Sequence, residues 1–73
     1  MATKITSRGS NKFLGNSSAS HMEVHELAKE RPVCQVDEIL KAGNAVRFIP
    51  DTLSQAHAEQ YDNCAYCIGG STR

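Results

Sequence analysis

The chain has 73 residues, 5% of them aromatic and none of them Trp, with three cysteines and a formal net charge of zero. A chain of this length forms one domain, leaves much of its surface exposed even when folded, and has little room for a large catalytic cleft. Three cysteines are an odd number and too few for a secreted disulfide scaffold, so reduced thiols or a metal site suit them better.

The zero total conceals a segregation of charge. Residues 1–20 carry Lys4, Arg8 and Lys12 and no acid, a charge of +3, whereas residues 21–73 carry five basic and eight acidic side chains, a charge of −3. An acidic body repels phosphate backbones, while a short basic arm can meet a phosphate or an acidic protein groove. The body is thus a poor reader of DNA. No apolar run has the length of a signal peptide or a membrane span, which predicts a soluble, cytoplasmic protein without membrane partners.

Residues 1–20 contain five Ser, two Thr, two Gly and two Asn, with Ile5 and Phe13-Leu14 as their apolar clusters. That composition buries too little surface to offset chain entropy and predicts a flexible basic tail. An alternative is a frayed hairpin, Lys4-Ile5-Thr6 against Lys12-Phe13-Leu14 around an Arg8-Gly9-Ser10-Asn11 turn. Ser18-Ala19-Ser20-His21-Met22 also has the pattern of a cloning junction before a second start methionine, which would make the tail an expression leader.

Ser20-His21-Met22-Glu23 has the spacing of a capping box and predicts a first helix to about Glu30, with Val24, Leu27 and Ala28 as its apolar stripe and Arg31-Pro32 as its stop. Residues 33–36 form a short β-type run. Asp37 then caps a second helix through Ala42, which ends at Gly43-Asn44. Residues 45–49 alternate, are rich in β-branched and aromatic side chains, and predict a strand that Pro50 ends. Asp51 opens a third helix over residues 52–61, and Cys64-Ala65-Tyr66-Cys67-Ile68 reads as a short strand or a knuckle. The expected architecture is a small α+β domain over residues 21–70, with two or three short helices and one small sheet, a flexible tail at 1–20 and a loose end at 71–73. Its core draws on Val24, Leu27, Val36, Ile39, Leu40, Val46, Ile49 and Leu53.

Cys64-x-x-Cys67 is the most chemical-looking motif. For zinc it has knuckle spacing, but a closed tetrahedral site needs four ligands and the chain has no second C-x-x-C, so Cys34 and His57 would have to complete the set. For thioredoxin-like redox work a helix must follow the attacking thiol, and only six residues follow Cys67. The bland alternative, which the residues favour, is small buried hydrophobes beside Tyr66 and Ile68, with no cofactor. His21 and His25, four apart on the first helix, read as solvated, and a thiol with His57 as its base lacks any inferable oxyanion donor. No catalytic residue is assigned and no enzyme is expected.

The Lys4/Arg8/Lys12 arm, the Glu-rich first helix and the closing Asn63-Cys64-Ala65-Tyr66-Cys67 segment together resemble the small bacteriophage-encoded regulators that bind host RNA polymerase. The resemblance implies a non-enzymatic protein that inhibits initiation at host promoters and promotes antitermination through the polymerase β′ subunit near the RNA exit channel. Under it, Lys4, Arg8 and Lys12 would pair with acids or RNA phosphates, Phe13 and Leu14 would anchor the arm, and Glu23, Glu26 and Glu30 would face a basic polymerase surface. Two other classes stay open: a zinc-knuckle protein built on the C-terminal C-x-x-C, and a toxin–antitoxin or stress-type adaptor.

Overall fold

The computed structural model describes residues 2–18 and 22–69. In chain order these form β1 (Ala2–Lys4), β2 (Phe13–Asn16), β3 (Glu23–Glu26), two 3-10 turns (Leu27–Lys29 and Pro32–Cys34), α1 (Val36–Lys41), β4 (Ala45–Phe48), α2 (Leu53–Ala58) and β5 (Asp62–Asn63). The strands make one five-stranded sheet in the order β1-β4-β2-β3-β5. All neighbours are antiparallel except β3 and β5, which run parallel. The α+β class expected from the sequence is the class observed. None of the described helices is long and apolar enough to cross a membrane.

Because side chains alternate across a strand, the register divides the core in two. Leu14 lies opposite His25, and Asn16 opposite Ala45; on this face Leu14 and Ala45 pack with Cys34, Val36, Ile39, Cys64 and Cys67. Gly15 lies opposite Val24 and Val46; on that face Val24, Val46 and Phe48 pack with Ala56 of α2 and Tyr61. Thus α1 and the cysteines cover one side, and α2 the other.

Gly15 is what lets the second face close. A Cβ there would fall 2.7 Å from Phe48 Cζ, 2.8 Å from Val46 Cγ2 and 3.0 Å from Tyr61 Cε2. The Phe48 and Tyr61 rings meet edge to face over this gap, with centroids 5.0 Å apart and an interplanar angle of 79°, an arrangement favoured by the ring quadrupoles.

The segment read as a flexible tail contains two strands of the sheet. β1 pairs with β4, and β2 sits between β4 and β3 with Leu14 fully buried. Its own composition holds too little apolar surface to fold alone; the missing partner surface lies some thirty residues downstream in β4. The Arg8-Gly9-Ser10-Asn11 turn is present, closed by the Asn11 backbone and side-chain amides on the Arg8 carbonyl at 3.3 and 2.8 Å, with Gly9 at φ 57°. It joins strands that are not sheet neighbours, so the unit is not a hairpin. Asp51 anchors the start of β2, its carboxylate accepting the Lys12 and Phe13 amides at 2.6 and 3.1 Å. Thr52 rather than Asp51 caps α2, its hydroxyl accepting from the Gln55 amide at 3.1 Å.

The expected first helix is replaced by β3 and the turn Leu27–Lys29. Ser20 and His21 of the capping box, and the loose end at 71–73, lie outside the described residues. A single short helix before Arg31-Pro32 would gain little from propensity, whereas Glu23–Glu26 pairs on both sides, with β2 and β5. The β-type run at 33–36 is instead the 3-10 turn Pro32–Cys34 leading into α1, whose N-terminal flanking residue is Gln35 in the left-handed region (φ 54°) and not Asp37. The second helix ends as expected at Gly43 (φ 76°), and the strand over 45–49 is seen as β4. Ile49, expected in the core, is 52% exposed.

Candidate metal centre

Three separate elements deliver four ligand-type side chains to the first face of the sheet. His25 comes from the centre of β3 and shares Leu14's face. Cys34 closes the turn Pro32–Cys34, its amide bonded to the Arg31 carbonyl at 2.9 Å, and left-handed Gln35 then turns the chain away into α1. Cys64 and Cys67 frame a tight turn after β5. The Cys64 amide donates to the Val24 carbonyl at 2.9 Å, which ties the turn to β3 beside His25. The Ile68 and Gly69 amides then fold back on the Cys64 carbonyl at 3.1 and 2.9 Å, with Gly69 at φ 84°. This is the knuckle alternative for 64–68, not the strand.

All four ligand atoms lie within 4.8 Å of one another, and all four residues are buried. Tetrahedral zinc bonds of about 2.3 Å to sulfur imply S···S edges of about 3.8 Å. The Cys34 and Cys64 sulfurs stand 3.7 Å apart, and Cys67 Sγ lies 3.8 Å from His25 Nδ1. The Glu26 amide donates to Cys67 Sγ at 3.4 Å, an outer contact that suits a thiolate better than a thiol. His25 is 3% exposed, and its Nε2 is buried with no hydrogen-bond partner among the described groups. Leaving such a nitrogen unpaired costs about 1–3 kcal/mol. The donor set and its spacing fit a metal ion.

Burial dominates the electrostatics of the group. It pushes the Cys67 thiol up to about 12, with the neighbouring sulfurs adding to the effect and the Glu26 amide opposing it. It likewise raises Cys34, and it lowers His25 below the ordinary imidazole value against the opposing charge of Glu30. Without a cation the site therefore favours neutral Cys34 and Cys67 thiols beside a neutral imidazole. A bound cation reverses this for the thiols, displacing their protons on coordination.

Of the metal candidates read from the sequence, Cys34, Cys64 and Cys67 converge and His57 does not. His57 is exposed on α2, where its Nε2 meets Asn63 Oδ1 at 2.6 Å, and Asn63 in turn donates to the Gly69 carbonyl at 2.9 Å. Its place is taken by His25, which the sequence reading set on a solvated helix. No local signal identifies His25: Glu23-Val24-His25-Glu26 has a single apolar residue, and it is pairing with β2 and β5 that makes it a strand and sends His25 to the face opposite Val24.

The residues assigned to a partner differ in exposure and in what they contact. Arg8 forms a bidentate pair with Glu30, one bond at 2.8 Å, and reaches Asp37 at 2.8 Å. Leu14 is fully buried, and Phe13 packs against the aromatic face. Lys4 and Lys12 are exposed, Glu23 borders a cleft beside the cysteines, and Glu26 lies on β3. No protein-family model, curated protein or solved structure matches the chain.

Proposed function

We propose that the protein is a small zinc-structured binding module without catalytic activity, its metal held by His25, Cys34, Cys64 and Cys67. The observation that carries this reading is the convergence of four buried ligand atoms, from three elements distant in sequence, within 4.8 Å. Three thiolates and an imidazole are soft, nitrogen-sulfur donors, the set that selects zinc over the hard, oxygen-seeking cations. Four protein ligands complete a tetrahedral shell and leave no position for an activated water, which supports a structural rather than a catalytic metal. The ion would tie β3, the turn Pro32–Cys34 and the knuckle together in a chain whose size limits its apolar core.

A module of this kind acts through its surface on a protein partner, the class to which the polymerase-regulator resemblance belongs. On this scaffold Arg8 is engaged in ion pairs within the fold and Leu14 within the core, so Lys4 and Lys12 are the arm's exposed cations. The deciding experiment is elemental analysis of reduced protein followed by chelation under amide NMR. One equivalent of zinc per chain and collapse of the β3 and 64–68 resonances on chelation are expected. A metal-free preparation whose spectrum ignores both chelator and added zinc defeats the reading.

A further inference from the structure

The four residues of the centre are all buried, but they do not all border the same space. A cleft of about 260 Å³ opens beside the centre, and its walls include Asn16, Glu23, His25, Cys34, Cys64 and Tyr66. Among the described residues, Cys67 is not in that wall; its sulfur meets His25 Nδ1 and the Glu26 amide and neighbours the Cys34 and Cys64 sulfurs from the side away from the cleft lining. The two cysteines that border the cleft are also the pair whose sulfurs stand 3.7 Å apart.

We propose that Cys34 and Cys64, and not the C-x-x-C pair, form a peroxide-oxidisable modification site whose disulfide releases the metal. The inference rests on the zinc reading, because coordination supplies the thiolates. Hydrogen peroxide is little larger than water and enters the cleft. One thiolate attacks its O–O bond, taking one oxygen as a sulfenic acid while the other leaves as hydroxide, which solvent protonates to water. The second thiolate attacks the sulfenic sulfur, forms the S–S bond and expels a second hydroxide. Two electrons pass from the two sulfurs to one peroxide. The sulfurs close from 3.7 Å to a bond of about 2.05 Å, and zinc, left with His25 and Cys67, dissociates.

The test uses the full-length, zinc-loaded chain titrated with hydrogen peroxide. Zinc is followed with a colorimetric indicator, and thiols are mapped by alkylation and peptide mass spectrometry. One zinc and two thiols should be lost per peroxide, with Cys34 linked to Cys64 and Cys67 alone alkylated. Cys34→His and Cys67→His each keep four zinc ligands. The first should lose peroxide-driven zinc release and the second should retain it. A Cys64–Cys67 link, sulfinic acid in place of a disulfide, zinc kept at excess peroxide, or undiminished release by Cys34→His overturns the proposal. A chain that holds no zinc before oxidant is added overturns the metal reading, and this one with it.

Discussion

The two faces of the sheet are lined by different chemistry. On one, Phe48, Tyr61, Val24 and Ala56 close over Gly15 by contact alone. On the other, Leu14, Val36, Ile39 and Ala45 surround three cysteines and a histidine that bring no comparable apolar bulk. Burial of hydrocarbon is almost indifferent to pH, redox state and metal supply, whereas a thiolate–imidazole centre depends on all three. The strands are shared, so whatever loosens the metal face works on the other through β3, which carries Val24 to one side and His25 to the other. Under the proposed zinc reading, stability is conditional on one side of the sheet and constitutive on the other.

Removing a metal ligand should have the largest effect. Structural zinc contributes on the order of 10 kcal/mol or more of apparent binding free energy, so Cys64→Ser should lose zinc and unfold the knuckle. Cys64→His, which restores a fourth ligand, should recover much of the amide dispersion. Equal behaviour of the two variants would break the contrast between the faces. Acid should act in the same direction. Burial lowers the His25 pKa, so the unfolded chain takes up a proton near its ordinary value of about 6.5 while the folded one resists. The unfolded state then binds more protons, and stability present above that value is lost as pH falls through it; thiol protonation on metal release adds to the loss. A zinc-loaded chain whose melting temperature is flat from pH 7 to pH 5 would contradict this.

The aromatic face should respond to volume and not to ligands. Phe48→Ala removes a fully buried ring and its edge contact with Tyr61, an expected loss of about 3–5 kcal/mol. Gly15→Ala puts a methyl group against Phe48, Val46 and Tyr61, an expected loss of about 1–3 kcal/mol. Both should be visible by denaturant unfolding of the zinc-loaded protein, with zinc stoichiometry unchanged. If Gly15→Ala is neutral, the packing of Tyr61 over β2 is looser than the distances imply.

How much of this was legible in the sequence follows the same division. Elements whose signals are local were readable: the alternation of β4, the Gly43 stop of α1, the turn at Arg8–Asn11 and the three cysteines. What failed depended on partners far along the chain. β2 is stable because β4 and β3 flank it, and nothing within residues 1–20 announces that. The sequence of β3 mimics a helix, because Ser20-x-x-Glu23 has the spacing of a capping box and Val24, Leu27 and Ala28 form a stripe. That mimicry also hides the centre's fourth ligand, since a helix leaves His25 in solvent where a strand buries it. His57 stands close to Cys64 in sequence, yet the fold turns it outward onto Asn63.

The smallest effect is expected where the basic arm meets the acidic body. Arg8 joins the turn before β2 to Glu30 and Asp37, and so links the segments of opposite charge through ion pairs. The guanidinium is one-third exposed and Asp37 is 76% exposed, which leaves the pairs open to solvent screening. Exposed pairs contribute about 0–1 kcal/mol, and less as salt rises. Arg8→Ala should therefore lower stability by under about 1 kcal/mol, with most of the difference erased at high salt. Amide shifts should change at the 8–11 turn and at Glu30 and Asp37, leaving the β2–β4 ladder in place. Detachment of β2 in that variant would mean that charge, and not the Asp51 anchor and the burial of Leu14, holds the arm on the sheet.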